Sequence, residues 1–147
     1  MTTPNPTPAH VEMARAAAEW WSTAMRAPTH DNGDPASMAI LKPMLELAKE
    51  SRPEPDESIL DAFKRHLAED AAAQLAQGRT VFFDVDYNPS FNLTSAANKA
   101  GLQVPQMGWP WKTCMRLDPD AGTVKVKAGY GAPWATVYPS RPPTKPR

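Results

Sequence analysis

"WKTCMRLDPDAGTVKVKAGY", residues 111–130, contains two alternating runs around a turn, and its reading decides the fold. Thr113, Met115 and Leu117 alternate with Lys112, Cys114 and Arg116; after the turn, Val124, Val126, Ala128 and Tyr130 alternate with Lys125 and Lys127. Successive strand side chains point to opposite faces, so this period of two predicts two strands, each with one apolar and one basic face. Pro119-Asp120-Ala121-Gly122 between them, with Gly late in the loop, predicts an antiparallel hairpin. Asp118 and Asp120 are then turn residues.

Moving upstream, "VFFDVDYNPS", residues 81–90, is a third alternating run. Val81, Phe83, Val85 and Tyr87 make one face and Phe82, Asp84 and Asp86 the other, ending at Asn88-Pro89. Asp-x-Asp at a strand end invites comparison with haloacid-dehalogenase-type phosphoryl-transfer enzymes, whose nucleophile is such an Asp. Those enzymes have a parallel doubly wound sheet and further Ser/Thr, Lys and acidic elements downstream. Here Tyr87-Asn88-Pro89 follows, and the roughly 60 remaining residues are too few for several βα units of about 30 residues each. Asp84 and Asp86 are therefore expected to be structural, sharing a sheet face with Lys112, Arg116, Lys125 and Lys127 in opposite-charge cross-strand pairs.

The N-terminal half reads as helices. From Val11 to Arg26, Met13, Ala17, Trp20 and Ala24 recur at helical spacing beside Ala14, Ala18, Trp21 and Met25, a wide apolar face. A second helix is predicted from Asp34 as N-cap and Pro35 as first helical residue, with Met38, Leu41, Leu45 and Ala48 as its stripe. Pro43 predicts a kink or break near Ala39. Leu60, Phe63, Leu67, Ala71 and Leu75 define a third helix that Gly78 stops. "SFNLTSAANKAG", residues 90–101, predicts a short fourth, capped by Asn88 or Ser90 and stopped by Gly101.

These elements sum to one α+β domain, a helical layer on a small, mainly antiparallel sheet, in the order α-α-α-β-α-β-β. Helices are expected at 10–26, 35–50, 56–77 and 90–100, and strands at 80–87, 111–118 and 123–130. A chain of 147 residues has room for one core. Many of its 17 prolines fall near the ends, so residues 1–9 and 139–147 are expected to be Pro-rich tails around a domain over 10–138.

Net charge is zero, so no overall field advertises nucleic acid or membrane. The distribution is uneven: residues 1–77 carry −5 and residues 78–147 carry +5. A basic sheet face, extended by Arg141, Lys145 and Arg147, is a candidate for binding a nucleotide, an oligonucleotide or an acidic protein surface. No stretch approaches the length of a membrane span, and the start of the chain has neither the basic nor the apolar region of a signal peptide. A single cysteine, Cys114, agrees with a reducing compartment, and a cytoplasmic location is expected.

Aromatic residues interleave with the basic half. Strand alternation assigns Trp111 and Tyr130 to the core. Trp109 and Trp134 stand in Gly/Pro-rich segments and are the candidate binding aromatics, since such rings beside Lys and Arg stack on bases. Cys114 lies on a strand next to basic residues, which can lower a thiol pKa, but the expectation is a plain strand thiol. The loop "APTHDNGDP", residues 27–35, clusters His30, Asp31, Asn32 and Asp34 around an Asn-Gly turn. It offers a ring nitrogen and several oxygens for binding or proton transfer, although it lacks EF-hand spacing or a second His for a zinc pair.

"HDNGD" after a Trp-containing helix, then "FFDVDYNP", "WPWKT" and "GYGAPWATVY", resembles a group of small uncharacterised proteins encoded in phages and prophages. The resemblance implies a mobile-element accessory role, binding or blocking a host component, and no catalytic residue. The expected function is thus non-enzymatic binding of a host protein or a nucleotide-like anion, without cofactor, metal or membrane. Its candidate residues are Trp109, Lys112, Arg116, Lys125, Lys127, Trp134, His30 and Asp31. The alternative is a small metal-assisted hydrolase built on His30, Asp31 and Asp34.

Overall fold

A computed structural model of the chain describes residues 5–26, 34–51, 56–86, 88–104, 109–129 and 131–139. Its elements are α1 (Pro8–Arg26), α2 (Pro35–Ser51), α3 (Glu57–Ala76), β1 (Val81–Val85), α4 (Phe91–Ala100), β2 (Thr113–Asp118), β3 (Thr123–Ala128) and β4 (Ala135–Tyr138). The strands form one antiparallel sheet in the order β1-β2-β3-β4. The fold is α+β, with a helical layer on one sheet face.

The helix ends follow from identifiable side chains. Thr7 and His10 cap α1 reciprocally: the His10 N–H donates to Thr7 Oγ1 at 3.2 Å and the Thr7 N–H to His10 Nδ1 at 3.1 Å. The pattern is that of a capping box with His in the place of Glu. It begins α1 at Pro8, inside the segment expected to be tail, because Pro is well suited to a first helical position. Asp56 caps α3, its Oδ1 accepting from the Ser58 N–H at 2.8 Å. At the other end Gly78 takes φ 81°, and the Arg79 N–H donates to the Gln74 carbonyl. This left-handed step is cheapest at glycine.

The core lies between α1, α3, α4 and the sheet. Met13, Ala17 and Trp21 of α1 and Phe63, Leu67 and Leu75 of α3 are buried against Val81, Phe83, Met115, Leu117 and Val124. Each fully buried side chain of this size contributes about 1.5–3 kcal/mol. Trp21 is central, with edge-on contacts to Trp20 at 5.1 Å and Phe83 at 6.5 Å between ring centroids. The antiparallel α1 and α3 are pinned by Arg26–Glu57 and Glu19–Lys64 ion pairs.

α2 is the exception to this packing. Of the kink or break expected near Ala39, the break does not occur: one helix runs through Pro43. Pro43 and Ala39 are both exposed, so the carbonyl that loses its helical donor can be met by water. Of its described side chains only Leu41 packs against the core. The expected stripe residues Leu45 and Ala48 have side chains outside the described set. Among the described residues no helix is long and apolar enough to cross a membrane.

The hairpin forms as its alternation predicts, with Arg116 opposite Lys125 and Cys114 opposite Lys127. The Asp118 carboxylate accepts from the Asp120 and Ala121 N–H groups, which explains that acid as turn chemistry. β1 adds to β2, with Phe82 opposite Arg116 and Asp84 opposite Cys114. The outer edge of β1 is closed by the start of α4. Asn92 Nδ2 donates to the Phe82 carbonyl at 2.7 Å, and the Ser90 N–H donates to the Asp84 carbonyl at 2.8 Å. An edge strand so covered offers little template for another strand. On the far side β4, which the alternation pattern does not reveal, pairs with β3.

Candidate functional site

The helices leave one sheet face uncovered, and alternation dictates what it carries. Phe82 and Asp84 come from β1, Cys114 and Arg116 from β2, Lys125 and Lys127 from β3, and Thr136 from β4. Register lines up Phe82, Arg116, Lys125 and Thr136 as one row across the strands. Asp84, Cys114 and Lys127 make the adjacent row. Trp134 enters the face just before β4, and the Arg116 guanidinium carbon lies 5.9 Å from the centroid of its indole. That is within cation–π range.

Charge on this face is unbalanced. Among the described residues Arg116, Lys125 and Lys127 have no salt-bridge partner, while the face's carboxylate, Asp84, stands opposite Cys114. The expected ladder of opposite-charge pairs therefore reduces to one, Lys112 with Asp86, at the end of the sheet. Lys112 is held there by its backbone as well. It adopts φ 56°, its N–H donates to the Asp86 carbonyl at 3.0 Å, and its own carbonyl accepts from Gly129 at 3.0 Å. It closes the strand ends rather than joining the central cation cluster.

The two candidate tryptophans separate. Trp134 is 48% exposed. Trp109 is 3% exposed and packs edge-on to Phe63 with centroids 6.3 Å apart. The expectation of a surface ring at Trp109 is thereby corrected. Trp109, Pro110 and Trp111 are all buried, and large aromatics there supply apolar area that a small domain needs. Trp111 is core as expected, and Tyr130 lies outside the described residues.

A further aromatic belongs to the face. Phe82 is 49% exposed, in register with Arg116. Its place on the polar side of an alternating strand was the available signal, because an apolar ring there has no core to fill.

Cys114 sits in the second row, between Asp84 and Lys127. Burial, and then the Asp84 carboxylate, push its thiol up, outweighing the opposite pull of Arg116 and Lys127. The basic neighbours do not activate it, because removing a thiolate from water costs more than these cations return.

His30 and Asp31 lie outside the described residues, so the loop they belong to has no geometry to report. Asp34 is described, and its carboxylate is engaged at the start of α2. Oδ1 accepts from the Ala36 N–H at 3.2 Å and Oδ2 from the Ser37 hydroxyl at 2.7 Å. Among the described residues no three His, Cys, Asp or Glu side chains cluster as a metal site would require. Asp84 occupies an edge strand of an antiparallel sheet, unlike the parallel strand that ends in a dehalogenase nucleophile.

A groove of about 960 Å³ lies between α1 and α3, lined by Val11, Glu12, Arg15, Lys64, Ala68 and Tyr138 among others. Its charges are partly matched internally: Lys64 pairs with Glu19, and the Tyr138 hydroxyl donates to Glu12 at 2.9 Å. That bond to an anion pushes the Tyr138 pKa up. The groove lacks the surplus of one sign seen on the sheet. The chain matches no protein-family model, no curated protein and no solved structure, so the chemistry of the sheet face rests on its own residues.

Proposed function

We propose that the protein is a non-enzymatic binding module whose open sheet face holds a nucleotide-like anion. The observation that carries this reading is the set of Arg116, Lys125 and Lys127, without salt-bridge partners among the described residues and flanked by exposed Phe82 and Trp134. Like charges held close on a sheet repel one another. An arriving anion relieves that repulsion, and the flanking rings give it something planar to stack on.

The resemblance to phage-encoded accessory proteins supports an accessory role, in which a host nucleotide or nucleic acid is sequestered or a host defence is blocked. The unpaired thiol of Cys114 supports a cytoplasmic setting. The test is retention on a heparin column. The wild type should elute late and shift earlier as salt rises, since phosphate-type contacts weaken steeply with ionic strength. K125E/K127E should flow through with its circular dichroism unchanged. Salt-independent retention, or a variant retained like the wild type, would move the binding surface off the sheet.

A further inference from the structure

The spacing of the aromatic rings on the sheet face says more about the ligand than the charges do. Phe82 projects from β1 and Trp134 immediately precedes β4, so the rings bracket the face from opposite edges of the sheet. Three inter-strand steps separate the backbones that carry them, about 14 Å at the usual strand spacing. One base cannot stack on both. The cations lie between the rings: Arg116 and Lys125 complete the row that starts at Phe82, and Lys127 is in the next.

We propose that this face takes a single-stranded nucleic acid laid across the strands, one base stacked at Phe82, another at Trp134, with backbone phosphates on Arg116, Lys125 and Lys127. The assignment rests on the anion-binding reading above and deepens it. A mononucleotide would use one ring and leave the other exposed. A duplex presents phosphates to the cations but keeps its base faces stacked internally, so neither ring gains a partner. A single strand supplies alternating anions and free base faces, which is the order the sheet presents. Four-stranded sheets that read RNA use exposed aromatics in this way. Arg116, over the indole of Trp134, keeps a cation beside one stacking site and can follow a phosphate as a base arrives. Asp84 opposes the phosphates near β1 and marks the less favourable end of the track.

The test uses the full chain and three probes: fluorescein-labelled oligothymidine of about 12 nucleotides, within the range of site sizes known for single-strand binders, a blunt duplex of equal phosphate number, and inorganic polyphosphate as competitor. Fluorescence anisotropy should show the single strand bound at least about tenfold more tightly than the duplex. Its affinity should fall with salt at a slope of about −2 in log units, for three phosphate contacts at about 0.7 each. Phe82→Ala and Trp134→Ala should each weaken the single strand about tenfold, and weaken polyphosphate far less, with thermal melts confirming that both variants fold. Equal affinity for single strand and duplex, with both alanine variants unaffected, would overturn the single-strand assignment while leaving an electrostatic anion site standing. No binding of any probe would remove both readings.

Discussion

The two faces of the sheet are built from the same strands and alternate residue by residue, yet they solve opposite problems. On the inner face Phe83, Met115, Leu117, Val124 and Val126 are buried against α1, α3 and α4. On the outer face, one residue along each strand, Phe82, Arg116, Lys125 and Lys127 remain at least partly in water. The inner face gains from close packing, so its residues are apolar and shaped to one another. The outer face gains nothing from packing and carries a cation excess that would be unfavourable without a counter-anion. One layer of helices can stabilise a four-stranded sheet and leave its second face free for recognition.

The largest test of this division compares the two tryptophans whose local sequences look alike. Trp109→Ala should cost about 3–5 kcal/mol, the usual penalty for truncating a buried aromatic. For a domain of this size the melting temperature would drop by roughly 10 °C or more. Trp134→Ala should cost about 1 kcal/mol or less, the worth of an exposed cation–π contact. Scanning calorimetry of the pair decides it. Similar losses in both would show that Trp134 belongs to the packed side.

Next in size is the charge of the outer face. Lys125→Glu with Lys127→Glu should weaken binding of an anionic probe by more than tenfold, above 1.4 kcal/mol, at constant melting temperature. A large fall in melting temperature would instead show these lysines contributing to the fold.

A smaller effect concerns acid stability and belongs to the helical layer alone. The Ser58 hydroxyl, then the Ser58 and Ile59 N–H groups, hold Asp56 below its ordinary pKa. The Ser37 hydroxyl does the same for Asp34, and Arg26 for Glu57. Folded-state values below the unfolded ones mean that this stabilisation is full above the unfolded carboxylate range, near pH 4, and is lost as pH falls through the folded values. Asp56→Asn keeps a capping residue without the charge. The variant should melt below the wild type at pH 7, and the gap should narrow progressively as pH falls below the unfolded carboxylate range. A gap independent of pH would show that the cap works without its charge.

The smallest effect sharpens the outer face. Asp84→Asn should change stability by less than about 1 kcal/mol, the scale of a cross-strand contact, and should tighten anion binding a few-fold by removing an opposing charge. Weaker binding would make Asp84 a ligand-holding residue rather than a local penalty.

Legibility in the sequence followed the length and regularity of each signal. The β2–β3 hairpin and β1 could be read because five or six alternating residues fix a face, and that face assignment carried Arg116, Lys125 and Lys127 with it. β4 could not. It has four residues between Pro133 and Pro139, and a register irregularity at Val124/Lys125 disturbs its alternation. The burial of Trp109 is not legible in the sequence because a loop has no period, and only the path of the chain past Phe63 determines it. Alternation groups Lys112 with the other strand lysines, but its left-handed backbone and the Asp86 pairing become visible only with the strand ends in place. The start of α1 at Pro8 rested on a Thr7–His10 cap, a variant of the usual Ser/Thr-to-Glu pattern.

The central claim, that the uncovered sheet face is the recognition surface, is tested most directly by a two-dimensional amide NMR titration of the full chain with oligothymidine of about 12 nucleotides. Shifts should concentrate at residues 82–84, 114–116, 125–127 and 134–136, together with the Trp134 indole N–H, while α1 and α3 stay unmoved. Shifts centred on α1, α3 or α2, with the sheet unchanged, would contradict it.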